Sequence, residues 1–406
     1  MSMQALSNLK IVEWAEGVPG PYCGKLLADL GAEVTKVEMP GCGDRARNRG
    51  PFPDNVPHPE RSGTFLYLNT NKLGVTLDVR SRTGSEVFKR LIEGADILIE
   101  NHPPSDVARL GFSYENLRKV NPALVMTSIT AFGQTGPYRD YRTCNLVSFH
   151  ASGMAYINPS DGVDDIEQEP PLMGPVNQGD LVAGLTGALT TMSAVFARRV
   201  TGLGQHVDLS QQEALTSMTR HQLGNYTVEQ FPWLRAKEAR RPGGSEVYRC
   251  SDGLVYLICN DERMWERWVE AMGNPEWAMT DLFQDRALRR ENWDAGKAMV
   301  EQWTMEHTVA EVVGLAEASR VPCKAINTVR ESVHSELLAG RGHFVDIHHG
   351  EAGNVTYPGA PYKLSRTPWQ VKRPAPLLGE HNEEVYCGRL GFTREDLTVM
   401  RAQGVI

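Results

Sequence analysis

The opening of the chain constrains the fold most, because two short apolar runs flank one apolar-periodic segment within about thirty residues. Residues 9–13 (LKIVE) read as a buried strand, and the glycine-broken loop GVPGPYCG follows them. Residues 22–30 then carry helical periodicity, closed by Gly31, and residues 33–38 (EVTKVE) read as a second strand. A strand, a helix and a strand in so short a span form a βαβ unit, which requires a parallel sheet. The pattern continues with a helix over 84–94, a strand over 96–100 (DILIE), a short helix over 113–120 and a strand over 124–130. The expected fold class is therefore α/β, with a doubly wound parallel-sheet large domain whose ligands sit at the carboxyl ends of the strands.

The second constraint is the stretch 171–209, PLMGPVNQGDLVAGLTGALTTMSAVFARRVTGLGQHVDL. An apolar helix is expected to begin just after Asp180, to run through Leu181, Leu185, Leu189, Met192 and Val195, and to end at Arg198 and Arg199. Arginines suit a helix C-terminus and carboxylates an N-terminus. Asp180 is thus expected at the N-cap, behind Gly179, where backbone N–H groups are free. Gly184 and Gly187 lie on one side of this helix, and each costs about 1 kcal/mol unless close packing or ligand approach offsets it. Something is expected to come close there. Position alone leaves Asp180 open between a helix cap and a reactive carboxylate.

A strand over 205–209 and a helix from 211 to about 225 complete this part of the chain. Residues 231–244 cluster Arg and Lys and end in Gly243-Gly244, which reads as a boundary or a mobile loop. Beyond it come a hairpin signal, VYRCSDGLVYLIC, and helices rich in tryptophan, in which Trp265, Trp268, Trp293 and Trp303 are expected to fill a core. The expected organisation is a large domain from residues 1–225, a smaller α+β domain from 226–325, and a C-terminal segment, 326–406, that returns to the large domain.

The net charge of −8 comes without a basic run or stripe, which weighs against nucleic acid as a partner. Local cations still suffice for a small anionic ligand. The loop after the first strand has Gly17, Gly20 and Gly24 but not the G-x-G-x-x-G spacing, so nicotinamide or flavin use is not indicated. Those glycines fit either close backbone approach or a tight turn around Pro19 and Pro21. Seven scattered cysteines include no C-x-x-C pair, so a reducing compartment and no structural zinc are expected. The first residues lack a basic-then-apolar leader, and no run approaches the roughly 18 apolar residues of a membrane span. A cytoplasmic protein with no membrane, no metal and no permanently bound cofactor is expected.

Several segments, in one order, carry a resemblance. They include LKIVE, LADLGAEVTKVE (27–38), Gly43-Asp44, LNTNK (68–72), ADILIEN (95–101), Arg109-Leu110-Gly111 and SITAFGQTGPY (128–138). Gly179-Asp180, TGLGQHVDLS (201–210) and PLLGEHNEEV (376–385) continue it over nearly the whole chain. Together they resemble the family III CoA-transferases of the CaiB/BaiF type, the group of formyl-CoA transferase and crotonobetainyl-CoA:carnitine CoA-transferase.

The resemblance implies an acyl-CoA:carboxylate CoA-transferase with coenzyme A and acyl-CoA as substrates and a carboxylic acid as acceptor. The residue matching Asp180 is the family's nucleophile, working through an enzyme-bound anhydride and an aspartyl-CoA thioester. Asn71 and Lys72 match residues near the nucleotide part of CoA, and Arg109 matches the arginine at the CoA phosphates. Read without the family, Lys72 and Arg109 are ordinary surface charges. Phe132 falls where an aromatic residue lies against the CoA chain, and Val18 where formyl-CoA transferase has glutamine, which disfavours oxalate and formate chemistry. Gly243-Gly244 falls where some members have a glycine-rich loop. An interlocked homodimer is implied as well.

The same superfamily contains alpha-methylacyl-CoA racemases, which pair the aspartate with a histidine. The matching stretch here, Tyr141 to Asn145, has none, and His150 reads as a polar helix residue. Racemisation and non-catalytic CoA binding remain the alternatives to transfer. The acyl side is expected to involve Trp14, Val18, Tyr138 and His150, which leaves the acceptor open between a carnitine-like betaine and a dicarboxylate.

Overall fold

A computed structural model describes residues 4–158, 163, 165–230, 245–259 and 261–406. The chain divides into two compact units, one formed by Met1–Ser160, Glu167–Arg235 and Phe344–Ile406, the other by Asp161–Ile166 and Ala236–His343.

The first unit is built on six strands: β1 (Lys10–Trp14), β2 (Glu33–Glu38), β3 (Lys72–Thr76), β4 (Ile97–Glu100), β5 (Val125–Thr130) and β6 (His206–Ser210). Their order is β3-β2-β1-β4-β5-β6, and every adjacent pair is parallel. Strand order reverses between β1 and β4, which makes a crevice at their carboxyl ends. β3 is the strand the pattern did not announce, because its KLGVT opens on a lysine and holds a glycine. It is nevertheless buried along its whole length.

Both sheet faces are covered, which explains why the strands read as nearly continuous apolar runs. On one face Ile11, Val34, Ile97, Ile99 and Ile129 pack with Leu27 and Ala28 of α1 (Pro19–Ala28). On the other, Val12, Val37, Val75 and Leu98 pack with Val87 and Phe88 of α2 (Arg82–Glu93) and with Tyr386, Leu397 and Met400 from the chain's end. That C-terminal stretch also closes the β3 edge. Thr76 N donates to Asn382 Oδ1 at 2.9 Å, Tyr386 Oη donates to the Thr76 carbonyl at 2.8 Å, and Gly74 N donates to His381 Nδ1 at 3.1 Å. A sheet edge covered in this way is closed to pairing with another chain.

After β4 come the short helices α3 (Pro104–Arg109) and α4 (Tyr114–Val120), and after β5 comes α5 (Asn145–Ala151). The long helix α6 (Gln178–Thr201) ends not at its arginines but at Gly202, whose φ of 69° gives a left-handed C-cap. It is long and apolar enough to cross a bilayer by length and composition alone, but Ala183, Gly187, Ala194 and Val195 are buried in the protein's own core. What comes close to Gly184 is α1, and what comes closest to Gly187 is β5. A Cβ on Gly184 would stand 2.6 Å from the Pro19 carbonyl oxygen, and one on Gly187 would stand 2.7 Å from Ile129. Leu185, Leu189, Phe196 and Val200 on α6 are exposed.

The helix read from residue 211 onward is broken in three: α7 (Gln211–Thr216), a 3-10 turn (Ser217–Thr219) and α8 (Arg220–Glu229). The second unit holds an antiparallel sheet of β7 (Glu246–Arg249), β8 (Leu254–Leu257) and β9 (Cys323–Ala325). Trp265, Trp268 and Trp293 are buried in its core, with Trp303 packed against them. Gly243-Gly244 lies outside the described residues.

Candidate active site

The site is assembled where the loops after β1, β2 and β4 meet the start of α6. Asp180 is the third residue of that helix, and Asn177 holds the N-cap position without a side-chain capping hydrogen bond. This corrects the expected N-cap placement. The cap comes from elsewhere: Asp180 N donates to Oδ1 of Asn145, at the start of α5, over 2.9 Å. Freed from capping its own helix, the Asp180 carboxylate accepts from Gln211 Nε2, at the start of α7, over 2.9 Å.

Asp180 is 8% exposed. Burial pushes its carboxyl above the usual carboxylate range, while the Gln211 hydrogen bond and the positive charges of Arg49 and Arg45 oppose the rise. The N-terminal end of the helix dipole also favours the ionised form. The result is a poorly hydrated carboxyl group whose ionised form its neighbours favour against the cost of burial.

The glycine loop faces the same place. Gly17 adopts φ 77° and its N–H donates to Asp44 Oδ1 at 2.8 Å. Asn101, after β4, locks the loop from the other side: Glu16 N donates to its Oδ1 at 2.9 Å, and its Nδ2 donates to the Glu16 carbonyl at 2.7 Å. Val18 is buried in this loop, immediately before α1. His102, after β4, lies against Trp14 with ring centroids 3.9 Å apart, and burial and Arg45 depress its pKa to about 4, so it is neutral.

Beneath the loop lies a buried ionic network. Lys36 contacts Glu13 at 3.1 Å and Asp44 at 2.8 Å, and Lys72 contacts Glu13 at 2.7 Å. Arg47 pairs with Glu38 at 2.7 Å. Against the cost of burial, Asp44 and Glu13 hold Lys36 above the usual ammonium range, whereas burial takes Lys72 down to about 8.

Lys72 is therefore not a surface cation. It is fully buried, and it donates to Asn69 Oδ1 at 2.9 Å and the Pro21 carbonyl at 2.8 Å besides its ion pair. Asn71, at φ 64°, is occupied as well. Its Nδ2 donates to Asp29 and to the Gln370 carbonyl, and its Oδ1 accepts from the N–H groups of Lys372 and Arg373. Expected beside the nucleotide of CoA, both side chains here hold the fold together. Arg109, at the end of α3, is exposed and, among the described residues, pairs with the half-exposed side chain of Asp106 at 3.0 Å. Phe132 lies just after β5, partly exposed, with its ring 5.7 Å from that of Tyr138.

Of the acyl-side expectations, Trp14 is buried in the core with Phe88 and Phe112, and Tyr138 is exposed. His150 is an exposed residue of α5 whose Nδ1 bonds the Leu146 carbonyl at 2.8 Å. Asn145, Gln211, Arg45 and Arg49 were missed. No local signal marks the first two, which reach Asp180 only through the fold, but the alternation in RARNR (45–49) was a visible charge pattern.

A doubly wound parallel sheet with a buried, hydrogen-bonded carboxylate near a helix start is an arrangement in keeping with an α/β enzyme. The chain belongs to CoA-transferase family III, which it matches over residues 6–382, and it is a CoA-transferase. It is 30% identical to a succinyl-CoA–D-citramalate CoA-transferase of Chloroflexus aurantiacus, covering 99% of this chain and 98% of that protein. It is 32% identical to the BbsE subunit of succinyl-CoA:(R)-benzylsuccinate CoA-transferase of Thauera aromatica, covering 98% of each chain. The crystal structure of a CAIB/BAIF family protein from Brucella suis superposes with a TM-score of 0.83 at 27% identity, over 96% of this chain and 100% of that one.

Proposed function

We propose that the chain exchanges CoA between carboxylic acids through covalent intermediates on Asp180. The carboxylate attacks the thioester carbonyl of a donor acyl-CoA, the C–S bond breaks, and CoA leaves as thiolate with a mixed anhydride on the enzyme. The thiolate then attacks the aspartyl carbonyl, which releases the donor acid and leaves an aspartyl-CoA thioester. An acceptor carboxylate runs the two steps in reverse, and no net proton, hydride or phosphate is transferred. The observation that carries this reading is the buried Asp180 carboxylate, bonded by Gln211 and pointing its reactivity away from any capping role. The side chains of Asn145 and Gln211 that touch Asp180 are amides, so neither supplies the second base a racemase needs.

For CoA, Arg109 is the proposed phosphate contact, since an exposed pair with Asp106 is weak and readily exchanged for phosphate. Phe132 and Val18 are the proposed contacts along the pantetheine arm and the thioester. Lys72 and Asn71 support that surface from below. The proposed assembly is the interlocked homodimer, and the exposed stripe of Leu185, Leu189, Phe196 and Val200 on α6 is the apolar surface that supports it. A reducing, cytoplasmic setting is supported by seven free cysteines.

The test is intact-protein mass after mixing with a panel of acyl-CoA donors, with hydroxylamine or borohydride trapping, on wild type and Asp180→Ala. An adduct at Asp180 in the wild type alone is expected. Exchange of the α-hydrogen with deuterium in the absence of any adduct would replace transfer by racemisation.

A further inference from the structure

We infer that the acids exchanged at Asp180 are short dicarboxylates, and that Arg45 and Arg49 hold the carboxylate that does not react. This inference rests on the proposed role of Asp180. It begins with the alternation of arginines in the 3-10 turn Arg45–Asn48 and its flank. Arg47 turns inward, fully buried, and pairs with Glu38 and Glu60. Arg45 and Arg49, two residues to either side, are consequently presented outward, and both are exposed.

The turn that carries them is stiff. Ala46 N donates to Asp44 Oδ1 at 2.7 Å, and the Ser62 hydroxyl lies against the carbonyl oxygens of both Ala46 and Arg49. The two guanidinium groups therefore have defined places. That of Arg45 lies over the glycine loop, where a Cβ on Gly17 would stand 3.0 Å from its Nε. Arg49 Nη2 donates to Oδ1 of Asn177, the residue that opens α6, at 3.2 Å. One arginine thus stands over the glycine loop and the other at the start of the helix that carries Asp180, and both charges act on its carboxyl.

Neither arginine forms an ion pair among the described residues, although Glu16 faces Arg45 within electrostatic reach. Unpaired guanidinium groups beside a nucleophilic carboxylate match an anion that arrives with the substrate, and a planar fork suits a second carboxylate. The phosphates of CoA are the other anionic source. They lie a whole pantetheine arm away from the sulfur, whereas a cation that acts on Asp180 stands at the acyl end. An acyl group such as succinyl or glutaryl brings its free carboxylate within a few bonds of the reacting carbonyl.

The test compares succinyl-CoA with butyryl-CoA as donors for wild type, Arg45→Gln, Arg49→Gln and Arg49→Lys. Wild type is expected to prefer succinyl-CoA, and each Gln variant is expected to lower the ratio of the two kcat/KM values about 10-fold or more. Arg49→Lys is expected to restore part of that ratio. A wild type that prefers butyryl-CoA overturns the inference, and so do Gln variants that slow both donors alike, which would assign the arginines to the CoA phosphates. Calorimetric titration of succinate into Asp180→Ala, with and without Arg49→Gln, separates the two readings. Succinate binding that requires Arg49, without any adduct at Asp180 in the wild type, sinks the nucleophile and keeps the anion site. An adduct at Asp180 with succinate binding indifferent to Arg49 does the reverse.

Discussion

The side-chain amide of Gln211 donates to Oδ1 of Asp180 over 2.9 Å, and the two residues are 5% and 8% exposed. Burial alone would keep this carboxyl protonated further up the pH scale, and a protonated acid is no nucleophile. A hydrogen bond to the charged form favours ionisation. The amide of Gln211 thus opposes, with Arg49 and Arg45, the rise that burial imposes on this carboxyl.

Replacing Gln211 by leucine removes that bond and keeps the bulk. The acid limb of the rate of adduct formation is expected to move upward by about one to two pH units, since a hydrogen bond to a charged group contributes about 1.5–3 kcal/mol and one unit is about 1.4 kcal/mol. The sign follows from the direction of the shift: Asp180 is already raised, and losing a bond to its anion raises it more. An unchanged acid limb with a uniformly lower rate would give Gln211 a merely steric role.

Two helical glycines are expected to respond in opposite ways to alanine. At Gly184 the new Cβ would meet the Pro19 carbonyl oxygen at 2.6 Å, so α1 and α6 must part, which costs about 1–3 kcal/mol. At Gly224, in α8, nothing lies within 4 Å, and alanine is expected to stabilise by up to about 1 kcal/mol. Urea midpoints of the two variants check this. Equal effects at both sites would mean that the helix contact is not as tight as the packing implies.

These contrasts show what was legible beforehand. The parallel sheet and the long helix follow from periodicity, because burial on two faces writes apolar runs into the sequence, whereas Asp180 is singled out as a nucleophile only by the family resemblance. The expectation that something approaches Gly184 and Gly187 came from two glycines on one side of a helix, and the approaching elements are α1 at Gly184 and β5 at Gly187. What periodicity could not supply is pairing across the fold. Asn145 lies 35 residues before Asp180 and Gln211 lies 31 after it, so neither contact has a local signature. The alternative of Lys72 as a surface charge fell for a different reason: a lone cation in a sequence is read as solvated, and the Glu13 carboxylate, with Asn69 Oδ1 and the Pro21 carbonyl, makes its burial tolerable.

Asn71 should behave as a clasp for the C-terminal return. Its amide ties Asp29 to the Gln370 carbonyl and receives the N–H groups of Lys372 and Arg373, all from a left-handed residue. Asn71→Ala loses these bonds and strains the turn, with an expected loss of at least about 2 kcal/mol. Amide hydrogen exchange should report faster exchange at Lys372 and Arg373 than at β1. Unchanged protection at those two amides would refute the clasp.

Glu100 offers a linkage test independent of catalysis. It is fully buried at the end of β4; its Oε2 accepts from His102 N at 2.8 Å, and the nearby Ser128 hydroxyl opposes only part of the cost of burial. Burial raises its pKa from 4.5 to about 7. Between those values the folded chain holds a proton that the unfolded chain has lost, so the contribution of this group to stability falls as pH rises through that window. Above the folded value the buried anion costs on the order of 3 kcal/mol, taking about 1.4 kcal/mol per unit. Glu100→Gln keeps an acceptor for His102 and puts a donor where the protonated acid would have one. The variant is expected to match wild type near pH 4.5 and to exceed it increasingly toward pH 8, with the gain appearing between about pH 5 and 7. Denaturant unfolding of both proteins across that range measures the difference directly. A gap that does not vary with pH, or a variant less stable at pH 8, would mean that Glu100 is ionised and satisfied in the folded protein.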